Sequence, residues 1–272
     1  MSNKLAFIML DGLRYDTAIS QMGYLHHLIE MGKASRFKVK SELPSLSRPL
    51  YEVLLTGTPV YKNGITSNQT VRLSHEESLF HLTNKAGLKN ATASYYWVSE
   101  LYNSAPFHPM TDRIQLNTDK AIQHGIFYWE DHYPDSHLFS DANFLMDQYE
   151  PDFLYVHSMN IDNDGHLFTA DSKEYRNRVI AVDILLANIL PKWMEAGYQI
   201  IVTADHGMNH DGQHGGTTAA DRDVPLFIIT DKMKHGIYEE VIPQLQIAPL
   251  ACELLKIQPS SAMQKLSFPK LK

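Results

Sequence analysis

Short apolar runs, each closing on a polar or turn-forming residue, alternate along this chain with stretches whose apolar residues recur every three or four positions. "LAFIML" (5–10) is uninterrupted and ends at Asp11-Gly12, as a strand buried on both faces would. "TAISQMGYLHHLIEMG" places Ile19, Met22, Leu25, Leu28 and Ile29 on one helical face, with Gly32 at its end. "SRFKVKSEL" alternates as a strand, and "RPLYEVLLTG" predicts a helix with Pro49 in its first turn and Gly57 as its stop. "EESLFHLTNKAG" predicts a short helix, "ATASYYWV" a strand, "DANFLMDQY" a helix and "PDFLYVHSM" a buried strand. A long helix over 174–194 follows from Val179, Val182, Leu185, Ile189 and Trp193. Strands "YQIIVTAD" and "VPLFIIT" and an amphipathic helix "IAPLACELLKI" complete the chain. This alternation predicts an α/β fold, a mostly parallel central sheet with helices on both faces. Sites in such sheets gather at the carboxyl ends of the strands. Residues 1–272 read as a single domain with a small aromatic-rich insertion at about 99–136. That segment carries Tyr102, Phe107, Phe127, Tyr128, Trp129 and Tyr133 and fits no clean helix or strand. It is expected either to form a surface subdomain with its own small core or to wall the active site.

Composition narrows the function. A length of 272 residues allows a large core, and a net charge of −7 argues against a general binder of nucleic-acid polymers or anionic membranes. The single cysteine, Cys252, excludes an intrachain disulfide, and a cytoplasmic location fits. The first apolar run is interrupted by Asp11 and Arg14 and lacks a small-residue cleavage site, so it reads as a strand rather than a signal peptide. No run reaches the ~18 apolar residues of a membrane span.

Three predicted strand ends carry residues that bind metals. The first supplies Asp11; the second, "NIDNDGH", supplies Asp162, Asp164 and His166; the third, "ADHGMNHDGQHGG", supplies Asp205, His206 and, further along its loop, His214. Aspartate and histidine together suit borderline divalent ions such as zinc, and about four ligands serve one ion. The set exceeds one site, which implies two metals; it is complete without His210, expected on the surface. "SELPSLSRPLYEVLLTG" offers two hydroxyls, Ser45 and Ser47, just before a helix. Either is an ordinary helix cap, or a nucleophile activated by metal where free backbone N–H groups welcome a phosphoryl oxygen.

In their order, "MLDG", "SRPLYEVLLTG", "NGITSN", "DNDGH" and "ADHGM…HGG" resemble the alkaline phosphatase superfamily, and within it the type I phosphodiesterase/nucleotide pyrophosphatase group. The resemblance implies two zinc sites, with manganese as the alternative. One would use Asp162, His166 and His214, the other Asp11, Asp205 and His206. Ser47 would bridge them as the nucleophile, since it lies nine residues before Thr56 with Pro49 two residues after it; Ser45 fits neither mark. Asn68 would hold a phosphoryl oxygen. Apart from the resemblance, Arg48 is expected either to add a guanidinium contact to the phosphate or to be a solvated arginine. Sulfatase relatives resemble Cys-x-Pro-Ser-Arg at the nucleophile, whereas this chain has Leu50 and Tyr51 at the last two positions.

The expected function is therefore metal-dependent hydrolysis of a small phosphate ester through a phosphoseryl intermediate, with a diester favoured. The alternatives are a phosphomonoesterase, a phosphonate hydrolase or a non-catalytic relative that holds metal and phosphate.

Overall fold

A computed structural model describes residues 3–269 and 271. Nine strands form one sheet: β1 (Leu5–Leu10), β2 (Ser35–Lys40), β3 (Asn90–Tyr95), β4 (Ile114–Leu116), β5 (His124–Tyr128), β6 (Phe153–Ser158), β7 (Gln199–Thr203), β8 (Asp223–Ile229) and β9 (Gly236–Pro243). Their order is β4-β5-β3-β6-β1-β7-β8-β2-β9. β4 runs antiparallel to β5, and β8 antiparallel to both β7 and β2; the remaining pairs are parallel. The sheet is mostly parallel, as the alternation of elements predicts.

β1 lies at its centre, every residue buried, because an all-apolar strand is stable only where helices cover both faces. Helices Asp135–Tyr149 and Lys173–Glu195 cover one face, the latter sealed by a fully buried Trp193. Helices Ser47–Thr56, Leu79–Lys85 and Ile247–Leu255 cover the other. None of the helices among the described residues is long and apolar enough to cross a membrane.

Several expectations need correction. The helix expected between β1 and β2 is two helices, Tyr15–Gln21 and Gly23–Glu30. Gly23 weakens a continuous helix, and the buried Asp183 carboxylate accepts the N–H groups of Tyr24 (2.7 Å) and Leu25 (3.3 Å), which serves the first turn of the second helix. β3 stops at Tyr95, where its ladder with β5 ends at Tyr128, and Tyr96–Tyr102 is helical rather than strand. The segment 99–136, expected to hold no clean strand, contains two: β5 pairs in parallel with β3, and β4 forms the edge. β9 went unpredicted: as an edge strand it exposes Glu239 and Glu240, so no apolar run marks it.

Candidate active site

The carboxyl ends of β1, β6 and β7, adjacent in the sheet, converge on one cluster. Asp11 follows β1. Asp162 and His166 lie on the helix Asn160–Phe168 that follows β6, which puts these i, i+4 residues on one face. Asp164 faces away and pairs with Arg178 at 2.8 Å. Asp205 and His206 follow β7. The loop beyond them turns through Gly212 at φ +71°, packs against the Gly165 carbonyl and brings back His214. Gly12 is equally constrained, since a Cβ there would sit 2.8 Å from the Asp162 backbone. His210 is exposed, as expected.

The three histidines share one arrangement. Nδ1 of His166, His206 and His214 lies 2.8, 2.8 and 2.9 Å from the carbonyl oxygens of Gly212, Gly207 and Ser45. A carbonyl only accepts, so each Nδ1 carries a proton and donates it, and each ring turns its Nε2 inward. The Nε2 atoms face carboxylates: His206 lies 3.3 Å from Asp11 Oδ1 and 3.2 Å from Asp205 Oδ2, His166 3.2 Å from Asp162 Oδ2, and His214 3.7 Å from Asp162 Oδ1. Asp11 Oδ1, Asp162 Oδ1 and Asp205 Oδ2 are buried without a hydrogen-bond partner. Buried carboxylate oxygens without partners are costly unless positive charge lies beside them.

The titration shifts express the same mismatch. Burial and the charges of Asp11 and Asp162 push the Asp205 carboxyl well above its usual range. Burial and the neighbouring His214 ring bring His206 down to about 4. Burial alone would raise Asp11, but hydrogen bonds from His157 and Tyr51 and the nearby imidazoles hold it at about 2. The hydrogen bond to Asp162 raises His166 to about 9. Two groups of three have ligand atoms within 4.8 Å of one another: Asp11, Asp205 and His206, and Asp162, His206 and His214. The first matches the expected trio. In the second, His206 is the near neighbour and half-exposed His166 stands at the outer edge, on the other oxygen of Asp162.

Ser47 opens the helix Ser47–Thr56, with Leu46 as cap, and its hydroxyl caps nothing. Its Oγ lies instead 3.0 Å from His206 Nε2, inside the cluster. Ser45 Oγ donates to the Gly216 carbonyl at 2.7 Å, which fixes the loop that carries His214. Asn68 accepts the Arg48 backbone N–H on its amide oxygen at 3.1 Å and so stands beside the first turn.

Arg48 is neither solvated nor free beside Ser47. One helical step turns its side chain about 100° from that of Ser47. There it is buried, paired with Glu100 at 2.7 Å, donating to the Thr70 carbonyl at 3.2 Å, and lying over the Trp97 ring at 4.5 Å. Tyr102, expected on the active-site wall, is buried and donates to Glu52 at 2.7 Å. The partly open aromatics are Tyr96, Trp97, Phe107 and Trp129, linked through Tyr96–Phe107 and Phe107–Trp129 ring contacts of 5.3 and 6.4 Å. Two residues that shape the cluster escaped the sequence reading: Tyr51 and His157 both hydrogen-bond to Asp11. Tyr51 is four residues after Ser47, and His157 is a polar residue in an otherwise apolar strand, so both left a trace. A cavity of about 650 Å³ near Lys33, Met194, Tyr198 and Lys232 sits at the amino end of β7, away from the cluster.

An acid-histidine cluster with a helix-borne serine, set at the carboxyl ends of a mostly parallel sheet, is the arrangement of an alkaline phosphatase-like fold. The chain belongs to the type I phosphodiesterase/nucleotide pyrophosphatase family, whose profile matches residues 5–226. Membership places it among enzymes that act on phosphoric esters. It is 22% identical over 278 residues to the GPI ethanolamine phosphate transferase 2 of Candida albicans, which covers 93% of this chain and 30% of that protein. The chain spans about 30% of the length of the curated relatives it matches. Murine ectonucleotide pyrophosphatase/phosphodiesterase 5 has the same fold, with a TM-score of 0.75 at 12% identity over 94% of this chain and 96% of that one. So does the phosphonate monoester hydrolase of Silicibacter pomeroyi, with a TM-score of 0.67 at 14% identity over 98% and 76%.

Proposed function

We propose that this chain cleaves phosphodiesters through a phosphoserine at Ser47. Two divalent cations, zinc ahead of manganese, would be held by Asp11, Asp205 and His206 on one side and by Asp162, His166 and His214 on the other. The observation that carries this reading is the shared orientation of the three imidazoles. Each is locked by a carbonyl on Nδ1 and aims Nε2 at carboxylates whose buried oxygens lack partners. Neutral nitrogen and charged oxygen donors in such numbers fit borderline divalent ions. Bound cations would offset the carboxylate charge, polarise the ester and acidify the Ser47 hydroxyl.

The rest is work for the chain's own residues. Ser47 Oγ attacks phosphorus, the alcohol departs in line, and the hydroxyl proton ends on that alcohol. Water then opens the phosphoserine in a second displacement. Asn68, anchored through its amide oxygen, keeps its amide nitrogen to donate to a phosphoryl oxygen. Arg48 decides the charge of the substrate. A monoester dianion needs an additional cation, and the guanidinium beside Ser47 is already neutralised by Glu100. That favours singly charged esters: diesters first, phosphonate monoesters second.

The likeness to phosphoethanolamine transferases supports a second reading, in which an alcohol replaces water in the second displacement and the transferred group is phosphoethanolamine. One experiment covers both. Protein stripped by a chelator and reloaded with Zn²⁺ or Mn²⁺ is assayed on bis(4-nitrophenyl) phosphate and 4-nitrophenyl phosphate, with and without added primary alcohol. Metal-dependent turnover favouring the diester is expected. A monoester preference, or turnover indifferent to metal, overturns the first reading. Absence of any phosphorylated alcohol product overturns the second.

A further inference from the structure

The two oxygens of Asp11 are treated differently. Oδ2 accepts two hydrogen bonds, from the Tyr51 hydroxyl and from His157 Nε2 at 3.1 Å. Oδ1 accepts none and faces His206 Nε2 at 3.3 Å. Asp11, Tyr51 and His157 are all fully buried, so no water competes for these contacts. The His157 ring is held edge-on to Tyr51 at a centroid distance of 4.5 Å. Its Nδ1 has no partner, and neither has the hydroxyl of Ser94. A carboxylate oxygen only accepts, so the contact at 3.1 Å places a proton on His157 Nε2.

We propose that His157 and Tyr51 are positioning residues that fix Asp11 as a one-oxygen ligand: they occupy Oδ2 and leave Oδ1 to a divalent cation shared with Asp205 and His206. This rests on the two-metal reading above. Both donors converge on Oδ2, so Oδ1 is the oxygen left to face a cation. Loss of either donor frees the carboxylate to rotate and weakens that cation site alone. The site of Asp162, His166 and His214 does not contain Asp11 and keeps its affinity.

His157→Gln, His157→Asn and Tyr51→Phe test this. A glutamine amide nitrogen reaches the Nε2 position, whereas the shorter asparagine reaches only that of Nδ1. Zn²⁺ affinity is measured by competition with a chromogenic chelator, and thermal midpoints are taken in excess EDTA. Wild type is expected to bind two equivalents. The His157→Asn and Tyr51→Phe proteins should lose roughly 10–100-fold in affinity at one equivalent only, with midpoints in EDTA close to wild type, and the glutamine should restore the wild-type value. Wild-type affinity in both deficient variants overturns the proposal and leaves the two-metal reading intact. The same holds if both equivalents weaken together, or if glutamine is as poor as asparagine, because packing alone would then explain the loss. A wild type that binds no metal overturns both. If the asparagine variant fails to fold, Tyr51→Phe, which removes one donor and no ring, decides between these outcomes.

Discussion

Glu100→Ala separates the two roles open to Arg48. In the folded protein the carboxylate sits 2.7 Å from the guanidinium, and the two side chains are 5% and 2% exposed, so solvent does not screen the pair. Truncating one partner leaves a buried, unpaired charge, a change that costs about 3–5 kcal/mol. The Thr70 carbonyl and the Trp97 ring still hold Arg48, which places the loss toward the lower end, about 3 kcal/mol. The Phe107 backbone N–H also loses its acceptor, Glu100 Oε1 at 2.9 Å, which adds about 1 kcal/mol. For a chain of this size, a total near 4 kcal/mol corresponds to a fall in Tm of roughly 8–16 °C. Urea denaturation and a thermal scan read the loss directly. The double variant Arg48→Met/Glu100→Leu should recover most of it, because it buries no charge at all. If Arg48 instead served the phosphate, releasing it from Glu100 would cost little stability and would lower KM for a phosphate monoester. A loss below about 1 kcal/mol accompanied by tighter monoester binding would refute the clamp reading.

Two further outcomes follow from the geometry. Ser47→Ala should abolish turnover while the protein still binds two equivalents of Zn²⁺, because six other ligands remain; Ser45→Ala should lose only about 1 kcal/mol of stability through its bond to Gly216 and keep most activity, and the reverse pattern would place the nucleophile at Ser45. Burial raises the Glu52 carboxyl from 4.5 to about 7, against hydrogen bonds from Ser74 and Tyr102 that pull it down, so the folded state holds a proton there that the unfolded chain has released. Stability from this group is therefore full below pH ~4.5 and falls as pH rises toward 7, by about 3 kcal/mol in all; denaturation across that range should show a negative slope that Glu52→Gln flattens, and equal slopes in the two proteins would refute the assignment.

What the sequence could reveal depended on how local each signal was. Asp11, Asp205 and His206 were legible because an apolar strand that breaks directly into charged residues exposes its carboxyl end, and the fold gathers such ends when the strands are neighbours, as β1, β6 and β7 are. Ser47 could be told from Ser45 only through the resemblance, since both stand before the same helix; the structure distinguishes them by partner, His206 for one and the Gly216 carbonyl for the other. Neither role read for Arg48 from the sequence anticipates its pairing with Glu100, because that partner lies 52 residues away in the chain. Tyr102 was misread for a related reason: an aromatic-rich stretch of irregular pattern resembles a surface wall until β5 is seen to join the sheet, which turns the stretch inward and leaves Tyr102 to a buried Glu52. The partners of Asp11 were hidden by distance. His157 lies 146 residues away, and only the register of β6 against β1 brings it within reach. Local patterns thus located the residues that offer a ligand atom, while the residues that decide which atom is offered were set by strand order, and these are the ones whose substitution should alter metal affinity before it alters the fold.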